Sequence, residues 1–179
     1  MEPKATHKGR VWYHTQMKTL YFIRHAKSSW KDPLLSDFDR PLNKRGKTDA
    51  PVMAKRLKHH KVKPDLILCS PALRTKKTAQ IIMQELDIKE KTVVFEPKLY
   101  ESSFETYLEL IKALPSEVKH VAIIGHNPEI TLACELLADA IFGNIPTCGI
   151  VGLEFKPETF SEAGEGCAHV LFFDYPKKP

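Results

Sequence analysis

Thr19-Leu20-Tyr21-Phe22-Ile23-Arg24-His25 carries a short apolar, β-prone run straight into a guanidinium and an imidazole. The run has the length of a strand and shows no alternation with polar residues, so the strand is expected to be covered on both faces. Further runs read the same way: Asp65–Cys69, Thr92–Phe95, His120–Ile124, Ile150–Phe155 and His169–Phe173. Helical patterns lie between them. Asn43–His60 gathers Val52, Met53, Ala54 and Leu57 on one side, with a kink or restart expected at Pro51. Ala72–Leu86 repeats Leu73, Ala79, Ile82, Met83 and Leu86 as an amphipathic stripe, and Phe104–Leu114 does so with Tyr107, Leu108 and Ile111. Pro128–Phe142 is expected to open with Asn127 as its N-cap and Pro128 in the first turn. Strands alternating with helices predict an α/β fold: a three-layer α/β/α sandwich with a mostly parallel central sheet of about six strands.

The chain has 179 residues, which at roughly 150 residues per domain implies a single domain. That domain is expected over residues 17–175. Residues 1–16 are polar and basic, lack the apolar stretch of a secretion signal, and read as a disordered extension. Residues 176–179 read as a frayed tail, and Pro157–Gly166 as a surface loop. A hydrophobic share of 42% with a charged share of 27% suits a compact globule, which argues against wholesale disorder. No apolar run approaches the ~18 residues of a membrane span.

With 27 Lys+Arg against 22 Asp+Glu the net charge is +5, and the two signs are interspersed. The basic cluster from Lys55 to Lys63 falls at a helix end, where cations suit the dipole. No basic stripe interleaved with aromatics supports a nucleic-acid partner, and none is expected; nor is a membrane. Cys69, Cys134, Cys148 and Cys167 form neither a CxxC pair nor a zinc-finger spacing, so no metal site is expected. Such thiols fit a reducing, cytoplasmic setting.

Ligands of open α/β sheets sit beyond the carboxyl ends of the strands. There this sequence places Arg24-His25, then Ser70-Pro71-Ala72-Leu73-Arg74, then Gly125-His126-Asn127-Pro128. Singly, each residue has an ordinary role, since arginines pair and a strand-end histidine bonds to backbone. Jointly, two guanidinium forks suit the oxygens of a phosphoryl group. A neutral imidazole is a competent nucleophile at phosphorus, and a second one donates a hydrogen bond as charge shifts.

These strings resemble the histidine phosphatase superfamily, whose fold is phosphoglycerate mutase-like. Leu20 to Trp30 is similar to its Arg-His signature, Asp39 to Gly46 to the helix start that follows, Ser70 to Ala79 to its second-arginine motif, and Gly125 to Pro128 to its second-histidine motif. Ala26, where many members carry glycine, and the lack of a long helical insertion make the chain look most like the SixA-type phosphohistidine phosphatases. The resemblance implies that His25 is the phosphorylated nucleophile, that Arg24 and Arg74 clamp phosphate, and that His126 assists at the transition state. It implies a metal-independent phosphatase without cofactors.

Two arginines should keep His25 neutral near pH 7. Leu99-Tyr100-Glu101 resembles the superfamily's acid motif, which would make Glu101 a proton donor; a solvated carboxylate is the plainer reading. Ser28 matches a hydroxyl position of the motif, Lys27 is close enough in sequence to approach phosphate, and Lys31 stands where many members have asparagine. The acidic loop with Asp32, Asp37, Asp39 and Arg40 borders the substrate or simply makes turns. Protein phosphohistidine is the first substrate expected and a small phosphorylated metabolite the alternative, ahead of a non-enzymatic phosphate- or nucleic-acid-binding module. The sequence is silent on oligomeric state.

Overall fold

A computed structural model describes residues 17–178. The expected disorder of residues 1–16 and the last residue of the expected tail lie outside the described residues. Strands β1 (Lys18–Arg24), β2 (Leu66–Cys69), β3 (Val93–Phe95), β4 (His120–Gly125), β5 (Ile150–Phe155) and β6 (Ala168–Asp174) form one sheet in the order β3-β2-β4-β1-β5-β6. The pairs from β3 through β1 are parallel, whereas β5 and β6 are antiparallel additions at one side. The sheet is therefore mostly, not wholly, parallel.

Helices α1 (Lys44–His59) and α2 (Leu73–Leu86) cover one face, and α3 (Phe104–Lys112) and α4 (Glu129–Ala138) the other. The alternation along β1 assigns its side chains to the two layers. Leu20 and Phe22 pack with Tyr107, Ile111, Ile130 and Leu137, while Tyr21 and Ile23 pack with Met53, Leu57, Ala79 and Ile82. β1 and β4 lie at the centre of the sheet and are buried along almost their whole length, as their unbroken apolar runs require.

Several local expectations are corrected. α1 does not restart at Pro51: it is helical from Lys44 to His59, the proline lacks the N–H that would bond the Lys47 carbonyl, and buried Ala50, Met53, Ala54 and Leu57 hold both halves to the core. α4 ends earlier than its pattern suggested, because Asp139 turns left-handed (φ 48°) and its N–H bonds the Glu135 carbonyl. The N-cap of α4 is Pro128, not Asn127, whose side-chain oxygen accepts instead from Thr131 Oγ1 at 2.9 Å. The Pro157–Gly166 segment is not wholly surface: a turn at Phe160–Glu162 drives Phe160 into the core, where its ring meets Phe155 at 5.2 Å. No helix among the described residues is long and apolar enough to cross a membrane.

Candidate active site

The carboxyl ends of β1, β2 and β4 open onto one cavity of about 400 Å³. Its walls include Arg24, His25, Lys27, Ser28, Arg74, Glu101 and His126, so the structure brings these predicted residues together, while Lys31, Asp32 and Asp39 lie outside the lining. Asp37, Arg40, Trp30, Tyr100, Asn127, Glu129 and Thr147 complete the lining.

Sheet register sets the two imidazoles side by side. Arg24 pairs with Gly125 as the last rung between β1 and β4, and His25 N–H then donates to the Gly125 carbonyl at 3.1 Å. His25 and His126 follow at ring centroids 5.1 Å apart. The His25 ring is oriented by Nδ1, which lies 2.8 Å from the Ala26 carbonyl. A carbonyl only accepts, so Nδ1 carries the hydrogen and Nε2 is left unprotonated. Arg74 Nε donates to that Nε2 at 3.3 Å. Ala26 N–H is itself held by Thr78 Oγ1 at 3.0 Å, which ties this turn to α2.

His126 Nε2 lies 2.7 Å from Ser70 Oγ, leaving a buried Nδ1 with no protein partner. Burial is the main reason both rings resist protonation. Aided by His126, Arg74 and Arg24, it lowers His25 to about 3. Aided chiefly by Arg74, it lowers His126 to about 4. Both rings are neutral at pH 7 in this geometry.

Three guanidiniums face the cavity. Arg24 donates through Nη1 to the Ile145 carbonyl (2.7 Å) and keeps a buried Nε unpartnered. Arg74 is only 5% exposed, and its outer nitrogens bond the Asp37 carbonyl and carboxylate. Arg40 places its Cζ over Trp30, 3.5 Å from the ring centroid, with a buried Nη1 unpartnered. Unpartnered buried guanidinium nitrogens are costly unless an anion answers them. The cavity thus gathers three guanidiniums, two of which carry an unanswered donor.

The other predicted residues take lesser places. Ser28 is buried and makes a β-bridge with Leu42. Lys27 is half-buried, with its backbone carbonyl accepting from Asn43 N–H at 2.9 Å. Glu101 is exposed at the rim, on a left-handed backbone (φ 55°). Lys31 is exposed and outside the lining. Sequence reasoning gave no role to Ser70 or Tyr100 and left Asp37 and Arg40 as bordering residues. Ser70 was the one open to discovery, since it heads the string that ends in Arg74. Among the described residues no group of three or more His, Cys, Asp or Glu side chains is arranged to hold a metal ion, and the four cysteines are free and buried.

Comparison with known proteins places this geometry in context. A chloroplastic protein of Arabidopsis thaliana is 32% identical over 154 residues, covering 82% of this chain and 70% of its own. The SixA structure from Agrobacterium tumefaciens is 31% identical with a TM-score of 0.74, covering 89% of this chain and 98% of that one. The protein histidine phosphatase SixA complexed with tungstate shares the fold at 23% identity and a TM-score of 0.76, over 88% of this chain and 97% of that one. The family model of the histidine phosphatase superfamily (branch 1) matches residues 20–128, the span that contains Arg24, His25, Arg74 and His126. The chain belongs to the histidine phosphatase superfamily.

Proposed function

We propose that this protein is a phosphohistidine phosphatase that removes the phosphoryl group from a histidine of another protein by way of His25. The observation that carries the reading is the His25 ring: its Nδ1–H is held by Ala26 while Nε2 faces the cavity beside Arg74. In the first step the Nε2 lone pair forms a bond to phosphorus as the phosphorus–nitrogen bond of the substrate breaks. A substrate imidazole protonated on its second nitrogen departs as a neutral ring and needs no separate acid. The Ala26 carbonyl then stabilises the positive charge that the His25 ring acquires. Water next attacks phosphorus, the bond to Nε2 returns its electrons to His25, and both hydrogens of the water leave with inorganic phosphate. Arg24, Arg40 and Arg74 hold the phosphoryl oxygens, and His126 donates as charge builds. Ser28 and Lys27 border the same oxygens. The likeness to SixA of Agrobacterium tumefaciens supports this substrate class.

A second reading, hydrolysis of a small phosphate ester, rests on Glu101. An alkoxide leaves poorly without a proton, and this carboxylate borders the cavity. Turnover of a phosphohistidine-bearing protein and of a panel of phosphate esters decides between the two. The first reading expects the phosphoprotein to be consumed by wild type and by Glu101→Gln alike, with an acid-labile, base-stable label trapped on wild type and missing from His25→Ala. Turnover confined to esters and lost in Glu101→Gln would overturn it.

A further inference from the structure

A carboxylate sits between two of the three guanidiniums of the site. Asp37 Oδ2 accepts from Arg74 Nη2 at 2.9 Å and from the Tyr100 hydroxyl at 3.0 Å, while Oδ1 meets Arg40 Nη2 at 2.7 Å and Nε at 3.0 Å. The Asp37 carbonyl also accepts from Arg74 Nη1. Donors from three separate stretches of chain thus converge on one residue. A lone exposed acid–base pair does little, but both guanidiniums here are buried, at 5% and 7% exposure, and share a single carboxylate.

The way Arg74 distributes its donors is informative. A guanidinium presents an end with two Nη groups and a side with Nε and one Nη. Asp37 occupies the end, and the side faces His25 Nε2, where phosphorus would bond. Every oxygen of Asp37 is therefore spent on turning arginines, yet its charge lies within the cavity that takes the anion.

We propose that Asp37 is the positioning residue of the phosphate site, a resident anion that aims the Nε side of Arg74 at His25 and offsets positive charge that would otherwise retain product phosphate. The inference rests on the reading of this cavity as a phosphoryl-transfer site. It separates two quantities that a loop fastener would move together. Asp37→Asn keeps the size and one acceptor oxygen but removes the charge, so inorganic phosphate should bind more tightly, by roughly tenfold for one partly screened contact. Turnover should fall in the same variant, because Arg74 loses its aim and phosphate leaves slowly.

The test is a calorimetric titration of the full chain with inorganic phosphate at pH 7.5, for wild type, Asp37→Asn and Asp37→Ala. Asp32→Asn, on the same loop but outside the cavity lining, serves as the charge control. Thermal melts check that each variant is folded, and Asp37→Asn, which keeps the size of the side chain, guards against a loss of fold in Asp37→Ala. Tighter phosphate in both Asp37 variants, with Asp32→Asn unchanged, is the expected result. Phosphate affinity that is unchanged or weaker overturns the inference, as does tighter phosphate with undiminished kcat on whichever substrate the protein turns over. If wild type turns over neither phosphoprotein nor ester, the functional reading fails on its own, and the titration still decides the role of Asp37.

Discussion

His25 uses its two ring nitrogens for different ends. Nδ1 is fixed by the Ala26 carbonyl, and Nε2 is kept unprotonated by burial and by the cations around it. Protonation would cost the nucleophile its lone pair, so a value near 3 protects it across the physiological range. The His25 and His126 ring protons, followed by NMR, should accordingly show no inflection between pH 8 and about 5, where an unperturbed histidine titrates near 6.5. A midpoint near 6.5 for either ring would refute the account. The sequence showed these residues because their types fall immediately after apolar runs. Asp37 escaped the same scrutiny because its partners Arg74 and Tyr100 lie 37 and 63 positions away, reached only once the loop's path is known. Ser70 escaped because a serine after a strand has many uses, and only the 2.7 Å contact with His126 selects one.

At the scale of elements, the start of α1 is built against the nucleophile turn. Asn43 caps the helix by accepting from Gly46 N–H at 2.9 Å, and its own N–H donates to the Lys27 carbonyl. Gly46 is pressed so closely to that turn that a Cβ there would lie 2.2 Å from the Lys27 carbonyl oxygen and 2.9 Å from its nitrogen. Backbone cannot rotate out of the way as a side chain does. Gly46→Ala should therefore cost about 1–3 kcal/mol of stability, as overpacking does, and lower kcat by shifting Ala26 and Lys27. Chemical denaturation and turnover check both, and an unaltered pair of values refutes the contact. Elements were legible in the sequence to within a residue or two wherever an apolar run met a clear stop. They were misjudged where a single residue's geometry decides: at Asp139, whose left-handed turn halts α4, and at Phe160, whose anchoring depends on a pocket made by other strands.

For the whole molecule, the two buried imidazoles make stability depend on pH. Unfolded, each ring takes a proton near 6.5, whereas folded they do so only near 3 and 4. As pH falls from about 6.5 toward 4 the unfolded chain binds more protons, so stability is lost, by up to ~1.4 kcal/mol per pH unit for each ring. Urea unfolding at stepped pH should show this decline, and the His25→Asn/His126→Asn double variant should flatten it. An equal slope in the two proteins would disprove the linkage. The register Arg24↔Gly125 has a different reach. Because the two rings follow that final rung, their spacing belongs to the central ladder, whereas Trp30, Arg40, Tyr100, Glu101 and Thr147 stand on connecting segments around the mouth. The distance between the rings is thereby insulated from the mouth: replacing Trp30 or Thr147 reshapes what can enter, while the two imidazoles keep the 5.1 Å that the ladder sets.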